Sequence, residues 1–347
     1  MQGACCTTRF VLCKTLLLRH SYSRRCRGCA VQRLPLLICF LLITVLDEAQ
    51  QVLTRPIPDP SVPPFGVQLK KSVVQVDLRC RDGNSLVQGN GTGFVLAVGD
   101  SRLPKGSTFL YLVTNRHVAQ CWDDPNHLRD VLSESIRVNL KSGTSKSYNL
   151  DIGAWTFPSD DSVDLAAMPI GFPQDAELDM YSVSFAEPAT KDYLLSHRIA
   201  EGSPVLLSGY FVQYSGIQKF QSIVRQGILS MMPDEPIKTT TGKPGMLYLA
   251  DVHIFLGNSG SPVMVTEDAI GVGGYHLLGV VSGYVYEDAD FKLEIATTTT
   301  GKVSANSGIA IIVPVDFLKT LLDSPKLKEI REQYLSTLAS PSAGTKH

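Results

Sequence analysis

Residues 257–262 read Gly-Asn-Ser-Gly-Ser-Pro, so that one glycine precedes the pair Asn258-Ser259 and another follows it. A hydroxyl nucleophile needs a tight loop that exposes its oxygen, and backbone N–H groups that converge where negative charge develops on the attacked carbonyl. The glycines of this hexamer permit such a backbone, although an ordinary turn accommodates the same six residues. The hexamer therefore predicts a candidate nucleophile, Ser259, whose partners must lie elsewhere in the chain.

A candidate base and a candidate carboxylate lie upstream. The apolar run 109–113 leads into Thr-Asn-Arg-His, which places His117 just beyond a predicted strand, where an imidazole can accept a proton near neutral pH. Asp164 opens the apolar run 165–170, and a carboxylate at the start of a buried strand needs a partner such as the His117 ring. Asp161 competes for this role, but it lies in a polar loop, so Asp164 is preferred.

The order and spacing of these residues carry more information than any one of them. Positions 117, 164 and 259 are separated by 47 and 95 residues. The chymotrypsin template has the same order, His, Asp, Ser, with separations of about 45 and about 93. Alpha/beta-hydrolases and subtilisins have other orders. The spacing therefore predicts a serine peptidase site of the chymotrypsin type.

Short β-branched runs between Gly, Asp, Asn and Pro turns begin after Gln68 and predict an all-β barrel or sandwich. The predicted strands are 72–78, 93–98, 109–114, 136–140, 204–209, 222–230, 246–252 and 277–282. Residues 171–202 are polar and irregular, which fits a connection between two barrels. Helical periodicity is confined to 315–338, with an interruption expected near Pro325.

Composition restricts the function. The chain has 347 residues, 44% of them hydrophobic, and a formal net charge of -1, so it can bury a full core but has no global field for nucleic acid or an anionic membrane. Only Cys80 and Cys121 lie outside the first forty residues, with no metal-ligand spacing, so neither a metal nor another cofactor is expected. These two cysteines fit either one disulfide or two separate buried thiols.

Residues 1–46 contain no Asp or Glu, and a basic segment there precedes the apolar run 34–46. This pattern is typical of a signal peptide or an uncleaved signal anchor, which would tether the protein to a membrane. An organelle transit peptide, a wrongly assigned start and a core helix are the alternatives. The protein is therefore expected to be exported, that is periplasmic, extracellular or membrane-anchored, with organelle import as the other destination. Five prolines in 47–67 predict an extended linker.

Several of these stretches together resemble a trypsin-like serine peptidase of the HtrA/DegP type. They are Gly-Thr-Gly-Phe-Val at 91–95, Val-Thr-Asn-Arg-His-Val at 113–118, Asp-Leu-Ala at 164–166, the hexamer 257–262 and the proline-centred segment 311–318. The resemblance covers residues 68 to about 322. It implies a peptidase domain at 68–318, made of two six-stranded antiparallel β-barrels of chymotrypsin-like fold at 68–175 and 198–318. A C-terminal helix and tail follow at 319–347.

The same resemblance assigns roles to residues. It implies His117 as general acid and base, Asp164 as the residue that orients His117, and Ser259 as nucleophile. The backbone N–H groups of Gly257 and Ser259 would form the oxyanion hole. A PDZ domain, usual in that family, is not expected after the helix. Formation of an oligomer is compatible with the resemblance but is not implied by it.

The resemblance also implies a specificity pocket. Its lining residues would be His253, Leu256, Ser282, Gly283 and Tyr284. Position 253 is not acidic, so cleavage after Lys or Arg is disfavoured. Tyr284 either narrows the pocket for small or medium apolar side chains or only covers the barrel surface. In trypsin-type zymogens an aspartate just before the nucleophile pairs with a newly cut N-terminus. Asn258 stands at this position here, and a neutral amide cannot form that ion pair.

The sequence thus predicts a serine endopeptidase that acts on exported or unfolded polypeptides through an acyl-enzyme intermediate. Its expected partners are polypeptide substrates and not nucleic acid. A non-proteolytic, chaperone-like or binding module on the same fold is the alternative, because a fold alone does not prove activity. An esterase is a third interpretation, which the chain order of the three residues disfavours.

Overall fold

The computed structural model describes residues 61–122, 128–173, 175–267, 274–294 and 298–339, and for 288–304 it describes the backbone alone. The chain divides into two units, 1–62 and 63–347. The predicted signal segment 1–46, most of the predicted linker 47–67 and the last eight residues lie outside the described ranges. All helices and strands named below belong to the second unit.

Strands predominate over helices in this unit. The strands are β1 Val73–Asp82, β2 Ser85–Val98, β3 Phe109–Thr114, β4 Asp130–Asn139, β5 Ser145–Asn149, β6 Ala166–Pro169, β7 Val183–Ser184, β8 Pro204–Tyr210, β9 Ser222–Met231, β10 Ile237–Lys238, β11 Pro244–Gly245, β12 Tyr248–Asp251, β13 Pro262–Val265, β14 His276–Glu294 and β15 Thr298–Pro314. The helices are α1 Phe65–Ser72, α2 Arg116–Ala119, α3 Lys191–Ser196, α4 Val315–Leu322 and α5 Pro325–Ala339.

The described strands form one large sheet in each half of the unit, and β10 and β11 pair as a separate two-stranded sheet. The first has the order β5-β4-β1-β2-β3-β6, and the short β7 joins it parallel to β2. The second is a closed barrel with the order β12-β15-β14-β13-β8-β9. The all-β, chymotrypsin-like fold class with a C-terminal helix is thereby confirmed. The first half departs from the predicted six-stranded antiparallel barrel: it is a seven-stranded sheet with one parallel strand, and among the described residues no pairing closes β5 onto β6.

Several strands are buried on both faces because the two halves and the C-terminal helices share a core. In β3, Leu112 packs inside the first sheet, whereas Tyr111 and Val113 pack in a cluster that also contains residues of the second barrel and of α4. Alternate side chains of a strand point to opposite faces, so one strand serves both cores. Each fully buried residue of this kind stabilises the fold by about 1.5–3 kcal/mol. This explains the continuous apolar run at 109–113.

The structure departs from the sequence prediction in several segments, of which three bear on the architecture. Helix α1 occupies 65–72, where the end of the linker and the start of the first strand are predicted. The predicted irregular connection 171–202 contains β7 and α3. The strand predicted at 277–282 is the first third of β14, which pairs with β15 as far as Glu294. Strand pairing between distant residues, which a local pattern does not reveal, accounts for the last difference.

The C-terminal helices close the core from one side. The expected interruption near Pro325 is present, and Pro325 is the first residue of α5, a position where its missing N–H is not needed. Arg331 of α5 donates to the Tyr111 hydroxyl and to the carbonyl oxygen of Leu322, both at 2.9 Å. Within the described ranges, no helix combines the length and apolarity of a membrane-crossing segment.

Candidate active site

His117 lies in α2, the short helix that follows β3. Between them, the fully buried side chain of Asn115 donates from Nδ2 to the carbonyl oxygen of Asp164 at 2.8 Å. The backbone N–H of His117 donates to Asp164 Oδ1 at 3.0 Å. The turn after β3 therefore holds the His117 backbone directly against Asp164.

Asp164 is only 1% exposed and binds the His117 ring, with 2.7 Å between His117 Nδ1 and Asp164 Oδ2. Two hydroxyls of the second half complete its surroundings: Ser282 donates to Oδ2 at 2.5 Å and Thr240 at 3.4 Å. Burial would raise the pKa of Asp164, but attraction to His117 and the hydrogen bonds from His117 and Ser282 outweigh it and lower the pKa. A carboxylate at Nδ1 assigns the proton to that nitrogen, which leaves Nε2 as an acceptor.

Ser282 connects Asp164 with Ser259. Its hydroxyl donates to Asp164, and its carbonyl oxygen accepts from the Ser259 hydroxyl at 3.4 Å. No hydrogen bond joins Ser259 to His117, both of which the structure describes. The Ser259 hydroxyl must therefore turn from Ser282 towards Nε2 before it can lose its proton, and such loose geometry is common in a site without substrate.

Two glycines and Thr92 shape the loop that carries Ser259. Gly257 has φ +94° and Gly260 has φ +88°, a region that L-residues rarely adopt. A Cβ on Gly260 would collide with the carbonyl oxygen of Thr92. From the first half, Thr92 donates its N–H to the Ser259 carbonyl at 2.9 Å and its hydroxyl to the Gly257 carbonyl at 2.6 Å. Thr92 therefore clamps the loop across the interface between the halves.

Asn258 is fully buried inside the same loop. Its Nδ2 donates to the Tyr210 carbonyl at 2.6 Å, and its Oδ1 accepts from the Phe255 N–H at 2.9 Å. Both ends of the side-chain amide are thus occupied by backbone groups of this barrel. Asn258 stabilises the loop, in keeping with a site that needs no new N-terminus for its assembly.

The backbone N–H groups of Gly257 and Ser259 are the predicted oxyanion donors. Neighbouring amides of the loop are paired, with Asn258 donating to the Phe255 carbonyl and Gly260 to the Val281 carbonyl. Gly257 and Ser259 have no such acceptor among the described residues. Two donors of one loop that have no acceptor can bind a negative charge that develops beside the serine hydroxyl.

Two residues of the predicted pocket, His253 and Leu256, are exposed, and 73% of the Leu256 surface is accessible. Between His253 and Leu256, the ring of Phe255 lies 4.8 Å from the guanidinium of Arg225. Arg225 therefore brings a positive charge to this segment, where the sequence has no acid at position 253. A basic substrate side chain would be repelled here.

The other three residues of the predicted pocket, Ser282, Gly283 and Tyr284, follow one another along β14. Ser282 faces Ser259 and Asp164, and a Cβ on Gly283 would lie 3.1 Å from the Thr240 methyl group. Tyr284 is half-buried against the barrel core, with its ring 4.7 Å from that of Tyr286. A hydrogen bond with Tyr286, together with burial, raises the pKa of Tyr284 to about 12. Tyr284 is therefore neutral at physiological pH.

Asp161, the competing carboxylate, does not contact His117. It pairs with Arg116 at 3.0 Å and with Lys243 at 2.9 Å, and the hydrogen bonds from Lys243 and Arg116 lower its pKa. These three residues line a cleft of about 510 Å³ whose apolar side includes Trp122. The Trp122 ring lies 5.7 Å from that of His117. Trp122 therefore contacts the His117 ring and also lines the cleft.

A disulfide joins Cys80 of β1 to Cys121, the second residue after α2. The bond resolves the two interpretations of the isolated cysteines in favour of a cross-link. It closes a loop of 41 residues, which in the chain-entropy model stabilises a fold by roughly 4 kcal/mol. The covalent link lies four positions from His117 and ties its helix to the first sheet.

Sequence reasoning missed two residues of this site. Thr240 contacts Asp164 and Ser282 from a segment with no recognisable motif, and only the fold brings it there. Thr92 lies in the quoted Gly-Thr-Gly stretch, but its clamp on the loop was not predicted. In the described ranges, no group of three or more His, Cys, Asp or Glu side chains could hold a metal ion.

Comparisons with known proteins find matches only among solved structures. No family model matches the chain, and no curated protein matches it. Among solved structures, "Crystal structure of Deg5" is 22% identical over 62% of this chain and 81% of that chain, with a TM-score of 0.39. "HtrA-type protease AlgW with tripeptide" is 17% identical over 78% of this chain, with a TM-score of 0.43, and this chain spans 64% of it. The sequence identity of the chain to both structures is low.

Proposed function

We propose that the protein is a serine endopeptidase that hydrolyses exported or unfolded polypeptides. The observation that carries the proposal is the buried Asp164, which binds His117 Nδ1 at 2.7 Å and is linked through Ser282 to Ser259. A fully buried carboxylate that orients an imidazole beside a serine is the arrangement that nucleophilic acyl transfer requires.

The chemistry follows from the positions of these groups. Ser259 Oγ attacks the substrate carbonyl carbon while its proton passes to His117 Nε2. The N–H groups of Gly257 and Ser259 donate to the resulting oxyanion. His117 then protonates the leaving amine, the C–N bond breaks, and an acyl-enzyme remains. Water, deprotonated by His117, releases the acid and regenerates Ser259.

The surroundings of the site favour a substrate class. Arg225 beside Phe255 and the absence of an acid at position 253 disfavour cleavage after Lys or Arg. The exposed Leu256 and the Tyr284 ring favour small or medium apolar side chains instead. The Cys80–Cys121 disulfide agrees with an oxidising compartment, and the basic and apolar segment 1–46 agrees with export or membrane anchoring.

A fluorophosphonate label and a casein assay test the proposal. The native protein is expected to be labelled and to degrade casein, whereas Ser259→Ala and His117→Ala lower turnover by several orders of magnitude, up to about a million-fold. Ser261→Ala is the matched control, because the Ser261 hydroxyl is buried without a partner two positions away. Equal casein cleavage by native protein and Ser259→Ala would contradict the proposal.

One observation favours the second candidate, a chaperone-like or binding module on the same fold. The Ser259 hydroxyl bonds to the Ser282 carbonyl instead of His117. A native protein that binds unfolded casein but neither takes the label nor cleaves would support that function.

A further inference from the structure

The hairpin of β14 and β15 extends far beyond the second barrel. β14 pairs with β13 only over 276–280, and β15 pairs with β12 only over 309–312. The two strands continue to pair with each other along 286–294 and 298–306. At about 3.3 Å per residue, this projecting part is roughly 27 Å long. We call these two paired segments the arm.

Each strand of the arm has one edge without a partner strand in the part of the chain that is described. Such an edge presents a row of backbone N–H and C=O groups that a further extended chain can bind. Main-chain hydrogen bonds of this kind are largely independent of the added chain's sequence. The arm is therefore suited to an unfolded polypeptide.

The open edge of β14 begins beside Ser259. The Ser282 carbonyl lies 3.4 Å from the Ser259 hydroxyl, so this backbone group faces the candidate nucleophile. Ser282 lies in a bulge of the β14–β15 ladder, between Val281 and Gly283, and Tyr284 is two residues further along the same strand. The ladder of β14 then bulges between Tyr284 and Tyr286, where the arm leaves the barrel. The edge that starts at Ser259 therefore continues into the arm.

The direction of a bound substrate follows from the site. The pocket predicted along 282–284 receives the residue whose carbonyl is attacked, so the acyl side of the substrate lies on β14. Moving from Ser282 to Tyr284 and the arm then means moving towards the substrate's N-terminus. Substrate and β14 are antiparallel, the pairing that lets one strand add to another with straight hydrogen bonds.

We propose that the arm is a docking edge for the segment of an unfolded polypeptide that lies N-terminal to the cleaved bond. This inference rests on the proposed peptidase function and extends it. Its consequence is a preference for long, extended substrates, because each further residue can pair with β14 along 286–294. Peptides that end near Tyr284 gain nothing from the arm.

Two shortened proteins test the role of the arm. The first replaces 287–305 with an Asn-Gly turn that joins Tyr286 to Asn306, which lie opposite each other in the ladder. The second replaces 290–302 with the same turn between Ala289 and Val303, also a register pair. The second protein is the matched control, because it retains the base of the arm and the same new turn.

The substrates are fluorogenic peptides with one cleavage site and about 4, 8 or 12 residues on its N-terminal side. For the native protein, kcat/KM is expected to rise about tenfold or more from the shortest to the longest peptide. The first shortened protein should lose this rise and cleave the shortest peptide within about twofold of the native rate. The second should retain the gain at the middle length and lose the rest.

Backbone methylation separates strand pairing from side-chain recognition. N-methyl groups placed one at a time along the longest peptide should weaken cleavage at every second position, because alternate amides face β14. The same peptides, labelled with a fluorophore, should bind the Ser259→Ala protein with the same alternation, measured by anisotropy. This binding assay keeps the two proposals distinguishable: arm-dependent binding without any cleavage refutes the peptidase function and supports the docking edge.

Three results would overturn the docking edge. One is a kcat/KM that does not depend on peptide length. Another is an equal loss on short and long peptides in the first shortened protein. The third is a native protein that sediments as a dimer and becomes a monomer on shortening, because the arm would then bind a second copy of the chain.

Discussion

The two halves of the molecule hold their parts of the candidate site by different means. In the first half, side chains and a covalent link hold His117 and Asp164: the buried carboxylate accepts from the ring and the backbone, and the Cys80–Cys121 disulfide lies close by. In the second half, positive φ at Gly257, main-chain hydrogen bonds and the uncharged side-chain amide of Asn258 hold the loop that carries Ser259.

This difference separates two kinds of sensitivity. The first half depends on charge, because a carboxylate is buried there and is stable only while His117 and Ser282 hydrogen-bond it. The second half depends on the absence of side chains at its glycines, because its loop carries no ionisable group. Each half also stabilises the other, since Ser282 reaches Asp164 and Thr92 reaches Gly257. Substitutions that change charge should therefore affect the first half most, and substitutions that add a Cβ should affect the second half most.

The largest effect is expected from Asp164→Asn. The Asp164 carboxylate accepts hydrogen bonds from the His117 ring, the His117 N–H and Ser282. The amide of the variant has only one acceptor oxygen, so the tautomer of the imidazole is no longer specified. We expect kcat on a fluorogenic peptide to fall about ten-thousand-fold, as in the template triad. Asp161→Asn is the control, since Asp161 is exposed and pairs with Arg116 and Lys243 without contacting His117, and its kcat should stay within about threefold. Equal losses in both variants would mean that Asp164 has no special role.

A smaller effect is expected from Gly260→Ala in the second half. The added Cβ has to adopt φ +88° and meets the Thr92 carbonyl, so we expect a loss of about 3 kcal/mol in the free energy of unfolding. Gly106→Ala is the matched control, with φ +85° but no atom within 4 Å, and it should lose about 1 kcal/mol. Urea titration measures both. A similar loss in the two variants would show that the Thr92 contact adds no strain.

The smallest effect concerns a second buried carboxylate of the first half, Glu134, which is 2% exposed. Burial raises its pKa to about 7 from 4.5, partly offset by the hydrogen bond from Trp155 at 2.7 Å. The folded protein therefore binds this proton more tightly than the unfolded chain does. The resulting stabilisation is complete below pH 4.5 and is lost as the pH rises through 7, about 2 kcal/mol between pH 5 and 7.

Glu134→Gln removes the ionisable group and retains an acceptor for Trp155. Urea titrations at several pH values should show a stability that falls between pH 5 and 7 in the native protein and a flatter profile in the variant. Glu177→Gln, at an exposed ion pair with Lys141, should leave the native slope unchanged. Parallel slopes in the native protein and Glu134→Gln would refute the buried-acid interpretation and weaken the contrast between the halves.

Much of the fold was readable from local patterns. The strand at 109–114 was predicted with the bounds of β3, and the break at Pro325 was predicted as observed. Both rest on contiguous residues, where β-branched runs and proline act through the local backbone. The long β14–β15 ladder was missed because its stability comes from pairing across the hairpin, which no single run of residues displays.

For the candidate site, the sequence by itself determined which residue types stand at 117, 164 and 259 and in which order, because each lies in a contiguous motif. Only the tertiary structure decided which groups meet them. Ser282 reaches Asp164 across 118 positions and Thr92 reaches Gly257 across 165, and a disulfide forms between Cys80 and Cys121. Hydrogen bonds and disulfides require atoms within a few ångströms, and chain folding alone brings together residues so far apart in sequence.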